Sequence, residues 1–600
     1  MSSNRASQFT GAGYPDPVFQ AFAVKTTRGR AQEKVDRAIK DLLGAGWQIQ
    51  SYGGKRNNFE VFATEGALTA PEAWAASYQL RAYRGIASAE PVFKAWITDR
   101  KDWGADLEED TTGDAGELEA APLAGILDWI CGKGRDLEQA KQVEWSLELT
   151  RIIQAWSNHF PGSDSRPGAS VVIGHPDTGY RNHPEIVGNL LASQGFDLFR
   201  NDNDATDELQ RRFPWQNPGH GTGTASVIVS PRGPAAGGAP TFVSGAAPGA
   251  KLIPFRVSDS VVILDGLNLA RAIERAADAG AHVISISMGG LASDRLHDAV
   301  VYAKNKGVIV LAAAGNCVSF VVFPAAYDEV VAVAACDAKR EPWRGSSRGA
   351  AVDVTAPGDR IWHAVANAND TLAGVGQGSG TSYAVATVAG IAALWLAKHG
   401  RSKIIQACGG REKLPPTFLQ LLRATATPVP GWPAGQFGGG LVDADKLLAA
   451  PLPNGATVPT LAPTADDHAA VDRGGGTTFA HLFDEAMRTD PRGPGIAAVD
   501  QPVNPAERLG DRLATLLNTT RDKLPADLGQ IGQELAFYMA TDPILHRRFA
   551  TAIAPPSPAP PGEGASAPAA PTTADDNVED VRQRLLARGV SPALAAKLRT

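Results

Sequence analysis

The chain has 600 residues, 44% of them hydrophobic and 20% charged, with a net charge of −7. Such a length exceeds what one hydrophobic core serves, so roughly two to four domains are expected. The acidic balance, with no strongly basic block, argues against nucleic acid as the main partner. The first twenty residues lack the apolar stretch of about seven or more that a secretory signal needs. No uninterrupted membrane-spanning run follows, so a cytoplasmic location without a membrane partner is expected, with signal-independent export as the alternative. The four cysteines, Cys131, Cys317, Cys336 and Cys408, show neither CxxC pairing nor metal spacing. They read as free buried thiols, with a Cys317–Cys336 disulfide as the alternative.

Residues 18–97 alternate strand and helix patterns. VFQAFAVKT (18–26) reads as a strand, and 31–43 as a helix with Val35, Ile39, Leu42 and Leu43 on one face. WQIQSYG (47–53) and NFEVFAT (58–64) read as strands, 70–82 as a helix and 88–96 as a last extended segment. The order is βαββαβ, a ferredoxin-like α+β arrangement. Residues 98–144 form a linker whose acidic run, 102–120, reads as a solvated loop.

From 145 to 450, apolar runs alternate with helical patterns. Strands are expected at 171–173, 252–257, 283–287, 308–313 and 330–335, and helices at 265–280 and 293–306. Continuous Val, Ile and Ala runs between helices predict an α/β domain, a parallel sheet covered on both faces. Residues 451–478 read as a linker, and 479–553 as a helical region with Leu509, Leu513, Leu516 and Leu517 on one stripe. A stiffer Pro/Ala-rich linker, 554–576, leads to a short helical tail, 577–600. The C-terminal helices are a candidate surface for an unidentified protein, with inert packing as the alternative.

Three places carry chemistry. In GSGTSYAVATVAGIAALW (378–395), Ser382 opens an apolar helix among small residues, where free N–H groups can hold an oxyanion. In NPGHGTGTASVIV (217–229), His220 opens another helix between Gly219 and Gly221. In VVIGHPDTGY (171–180), Asp177 follows a buried strand, and strand ends are where open α/β sheets build sites. Each alone has a bland reading as a cap, a surface histidine or a turn.

Taken in order as Asp, His and Ser, with the blocks AAPGAKLIPFRV (246–257), SISMGG (285–290), AAAGN (312–316), FPAAYDEVVAVAACD (323–337), SSRGAAVDVTAPG (346–358) and GGGLVDA (438–444), these segments resemble the subtilase family, peptidase family S8, over roughly 165–450. The resemblance implies a subtilisin-like serine endopeptidase acting on protein or peptide substrates through an acyl-enzyme. Its triad would be Asp177, His220 and Ser382, its oxyanion donor Asn316, and its chemistry would need no cofactor. It also implies a substrate strand along Ser285, Ser287, Met288, Gly289 and Gly290, with Ala313 and Gly315 beside the specificity pocket. No acidic residue is evident there, so an apolar residue before the cut is expected. Residues 18–97 resemble subtilase propeptides, which implies a zymogen-like, autoinhibited enzyme.

Departures from the family pattern stand beside these matches. His175-Pro176 precede the aspartate, where small or apolar residues are usual, and Pro176 is expected to end or bend the strand. Ala386 stands where a proline is common. Asp197, Asp202, Asp204 and Asp207 in DLFRNDNDATDE (197–208) resemble the acidic loops that bind structural calcium in some subtilases, with a solvated turn as the alternative. Competing classes are a subtilase fold that has lost activity and an esterase; the G-x-S-x-G signal of the latter is absent around Ser382.

Overall fold

A computed structural model describes residues 18–93, 137–453, 512–545 and 574–599, apart from short segments within them. The acidic run, residues 454–478 and 554–573, Leu509, Cys131 and Cys317 lie outside the described residues, while residues 574–576, expected in the second linker, instead open the helix Ala574–Arg588. The chain divides into two compact units. One combines the N-terminal segment with the C-terminal helices, and the other holds most of the residues between.

In the first unit, the strands Trp47–Ser51, Asn58–Ala63, Val18–Thr26 and Ile86–Phe93 lie side by side in that order, all neighbours antiparallel. With the helices Gln32–Leu43 and Ala70–Ala82, this is the expected βαββαβ layer. Phe19, Phe22, Ile39 and Leu80 are fully buried in its core. The C-terminal helices belong to the same core. Phe537, in the helix Leu524–Thr541, stacks its ring 5.6 Å from Phe19 and 6.0 Å from Trp74. Tyr78 donates to Glu534 at 2.9 Å, and Arg81 to Gln533 at 2.8 Å. Glu534 also accepts from the Ser591 backbone N–H and hydroxyl, which ties in the last helix, Pro592–Arg599. Leu513, Leu516 and Leu517, expected on one apolar stripe, are buried.

The second unit is built on seven strands. Their order is Val354–Pro357, Val331–Cys336, Ile309–Ala313, Val283–Ile286, Val172–Asp177, Lys251–Arg256 and Phe196–Asp197, all paired in parallel. Apolar residues on the two sides of the sheet enter two separate core clusters. This is why the strands read as unbroken apolar runs rather than alternating ones. The helix Thr381–His399 runs through the first cluster. It is long and apolar enough to cross a membrane, and 89% of its apolar window is buried inside the protein.

The strand Val172–Asp177 corrects one expectation, because it continues through Pro176. Its pairing with the strand Val283–Ile286 stops at Ile284↔Gly174, while pairing with Lys251–Arg256 runs on to Asp177↔Arg256. The Val172 carbonyl accepts from His282 on the first side, and the Asp177 carbonyl from Val257 on the second. By this alternation Pro176 faces the side where the ladder has already ended, so its missing N–H breaks no bond. Cys336 and Cys408 are free thiols, which removes the Cys317–Cys336 disulfide.

Candidate active site

Asp177 ends its strand fully buried. His220 opens the helix His220–Val229, and its Nδ1 lies 2.7 Å from Asp177 Oδ1. That approach needs glycine on both sides of the histidine. Gly219 has φ +77°, in the left-handed region that favours glycine, and a Cβ on Gly221 would overlap the Gly179 carbonyl oxygen. Asp177 Oδ1 also accepts the Thr178 N–H at 2.7 Å, and Thr224 Oγ1 lies 3.0 Å from Oδ2. Burial alone would raise this carboxyl. The neighbouring His220, its hydrogen bond, His175 and the Thr178 N–H hold it below the ordinary carboxylate range.

Ser382 sits in the first turn of the helix Thr381–His399, where backbone N–H groups lack intrahelical partners. Its Oγ donates to the Ser287 carbonyl at 3.2 Å, and its own carbonyl accepts from Ser287 Oγ at 3.1 Å. The histidine helix packs on the serine helix, with the His220 ring 6.5 Å from that of Tyr383. Asn316 Oδ1 accepts from Thr381 N at 2.9 Å and Thr381 Oγ1 at 2.8 Å, which turns the amide nitrogen the other way. A methyl group built on Gly380 would lie 3.4 Å from Asn316 Nδ2 and 3.7 Å from Ser382 N. Two donors therefore border one small space beside the serine, the arrangement an oxyanion requires.

The expected substrate strand is only partly accessible. Gly289 and Gly290 are part-exposed and pair with Val262–Ile263. Gly290 also exchanges backbone bonds with Phe323. Ser285 is a correction: it is fully buried inside the sheet, opposite Leu311. Met288 is a second correction, because its side chain, 2% exposed, belongs to the core rather than to an open pocket. Ala313 and Gly315 are buried beside Asn316.

The four aspartates of 197–208 each have partners within the protein. Asp197 pairs with Arg256 at 2.8 Å and accepts the N–H groups of Phe199 and Arg200. Asp202 and Asp204 each accept a backbone N–H two residues on. Asp207 accepts from Thr178 Oγ1 at 3.0 Å, Gly219 N at 2.8 Å and Leu209 N at 2.9 Å. The carboxylates turn to separate local partners, and among the described residues no group of three or more His, Cys, Asp or Glu side chains could hold a metal. Asp207 instead ties the turn after Asp177 to the residue before His220. Sequence reasoning missed that role, since an acidic turn looks the same whether its oxygens face an ion or N–H groups.

His363 completes the surroundings. It stacks on Tyr383 with ring centroids 4.7 Å apart, and its Nε2 lies 3.0 Å from the tyrosine hydroxyl. Burial pushes its pKa down from the ordinary 6.5 to about 4, and that of His399 likewise to about 4. His175, His183 and His282 are lowered for the same first cause. For His363 and His399 the stabilising effect is complete above the unfolded value of 6.5 and is lost as pH falls through the folded values near 4, because the unfolded chain takes the protons first, and the other three histidines act in the same direction. Asp353, pushed up to about 6 by burial, acts in the opposite sense, as do the carboxyls of Asp207 and Glu534, which burial also raises, three carboxyls against five imidazoles. The melting temperature of the Ser382→Ala protein should therefore fall between pH 7 and pH 4.5. Calorimetry showing it unchanged or raised would contradict this.

Comparison with known proteins gives the family and its class of activity. A family model described as "Subtilase family" matches residues 168–437. Thermitase from Thermoactinomyces vulgaris is 37% identical over 42% of this chain and 80% of its own length. Subtilisin DY from Bacillus licheniformis is 33% identical over 39% of this chain and 78% of its own. A thermophilic serine proteinase from Bacillus sp. (strain AK1) is 36% identical over 38% of this chain and 52% of its own. Among solved structures, fervidolysin from Fervidobacterium pennivorans, a keratinolytic enzyme related to subtilisin, has the same fold, with TM-score 0.50 and 24% identity, covering 74% of this chain and 63% of that one. The chain belongs to the subtilase family and is a serine endopeptidase with the subtilisin-like parallel sheet. As such it hydrolyses peptide bonds in proteins or peptides and needs no cofactor for the chemistry.

Proposed function

We propose that Asp177, His220 and Ser382 form the catalytic triad. Ser382 Oγ attacks the scissile carbonyl carbon, and His220 accepts its proton and returns it to the leaving amine, which breaks the C–N bond and leaves an acyl-enzyme. Water activated by the same histidine then releases the acid. Asp177 holds the imidazole tautomer with its proton on Nδ1 and stabilises the imidazolium. The observation that carries this reading is the 2.7 Å Asp177–His220 contact at full burial of the carboxylate. Casein digestion followed by mass spectrometry tests it: wild type should cleave, and His220→Ala should not. Cleavage by both would remove His220 from the mechanism.

Asn316 Nδ2 and the Ser382 N–H are the proposed oxyanion donors. Asn316→Ala should lower kcat by about 10²–10³, a magnitude taken from subtilisin in this same family, with KM little changed. An unchanged kcat would exclude Asn316 from the hole.

The N-terminal βαββαβ layer is proposed as an inhibitory element, on its likeness to subtilase propeptides. It would be held by the C-terminal helices that share its core. Hydrolysis rates of the full chain before and after removal of residues 1–120 test this; equal rates would exclude inhibition.

A further inference from the structure

Two buried polar side chains stand behind Asp177. His175, two residues upstream on the same strand, is 2% exposed. Thr224, one helical turn beyond His220, is fully buried. Thr224 Oγ1 lies 3.0 Å from Asp177 Oδ2, 3.1 Å from His175 Nε2, 3.1 Å from the His220 carbonyl and 3.4 Å from the Gly221 carbonyl. One hydroxyl proton thus faces four possible acceptors, and something must choose among them.

His175 supplies the choice. Its Nε2 is also 3.7 Å from Asp177 Oδ2, where a ring proton is attracted and a lone pair repelled. With the proton on Nε2, His175 donates to Thr224 Oγ1, and the negative carboxylate becomes the strongest acceptor for the hydroxyl proton. Burial keeps His175 neutral, since desolvation outweighs the pull of Asp177. Asp177 Oδ1 is already occupied by His220 and Thr178, so the chain of bonds ends on Oδ2, the other oxygen. Burying two polar side chains costs desolvation that apolar residues of like volume would avoid, and here each polar group has its partner.

We propose that His175 and Thr224 are positioning residues of the protease: His175 orients the Thr224 hydroxyl, and that hydroxyl fixes the Asp177 carboxylate against His220. This rests on the triad reading above. The titratable groups facing the pair are Asp177 and His220; Tyr383 of the serine helix faces Asp177, and His363 faces His220. A hydroxyl donating to Oδ2 spreads the carboxylate charge, so its loss should strengthen the pull of Asp177 on the His220 proton.

The test uses the full chain as Thr224→Val, His175→Leu, His175→Gln and the Thr224→Val/His175→Leu double variant, with active sites counted by titration with a serine-directed phosphonate. Thr224→Val, which keeps the shape and removes the hydroxyl, should lower kcat about tenfold per active site with KM unchanged. It should also move the acid limb of kcat/KM to higher pH. His175→Leu should change both in the same sense. The double variant should match Thr224→Val within about a factor of two, because His175 acts through the threonine. His175→Gln, which keeps an N–H donor, should recover most of the rate. Unchanged kcat and acid limb in Thr224→Val, or fully additive single effects, would overturn the proposal. If His175→Leu does not fold, Thr224→Val alone decides. A wild type that neither cleaves casein nor takes up the phosphonate would instead overturn the triad reading beneath it.

Discussion

Ser382→Ala is expected to lower kcat on casein or a peptide substrate by about 10⁶-fold, a magnitude taken from subtilisin, while leaving the fold intact. The size follows from the unit the three residues form in the proposed triad. Without Oγ there is no acyl-enzyme, and His220 and Asp177 have no serine proton to move. Stability should barely change. The side chain is 4% exposed in the first turn of its helix, and its hydroxyl donates to the Ser287 carbonyl. That carbonyl loses a donor it receives at 3.2 Å, a cost of about 1 kcal/mol. The backbone N–H that borders the oxyanion space remains. Steady-state kinetics and a melting curve on one preparation check both halves. A residual rate within about tenfold of wild type would mean that another nucleophile does the work.

Phe537→Ala should destabilise the first unit by about 3–5 kcal/mol, the usual range for emptying a buried phenylalanine site. Phe537 is 1% exposed and touches rings from three segments: Phe19 of the first strand, Trp74 of the second helix and its neighbour Tyr538. The cavity would open at the seam where the two ends of the chain meet. Glu534, one turn away, has its carboxyl raised by burial and depends on Tyr78 and Ser591 for hydrogen bonds. Loosening the seam therefore exposes a polar network as well as an apolar one. Hydrogen exchange should speed up in residues 18–26 and 70–82, although the substitution lies more than 400 residues away in sequence. Unchanged exchange there would mean that the N-terminal layer is stable without the C-terminal helices.

Much of the second unit is legible in the sequence because its physics is local. Unbroken apolar runs mark strands buried on both faces, and most boundaries fall within a residue or two of those observed. Asp177, His220 and Ser382 are each ambiguous alone, and their order with the surrounding blocks is what marks them as the candidate triad. What escapes the sequence depends on partners. Pro176 reads as a strand terminator until the ladder on its side is seen to stop at Gly174. Asp207 reads as a metal ligand until its oxygens are seen on Thr178 and Gly219. Met288 reads as pocket lining until it is found in the core. The bond from Tyr78 to Glu534 spans 456 residues, and no local period announces it.

Ser382 is the proposed nucleophile, activated by His220 and Asp177. The most direct test of this is to treat the intact protein with a fluorophosphonate and locate the adduct by peptide mass spectrometry. A single adduct on Ser382 is expected, lost in His220→Ala and strongly slowed in Asp177→Asn. An adduct on a different serine, or casein cleavage by protein whose Ser382 stays unmodified and unprotected, would contradict it.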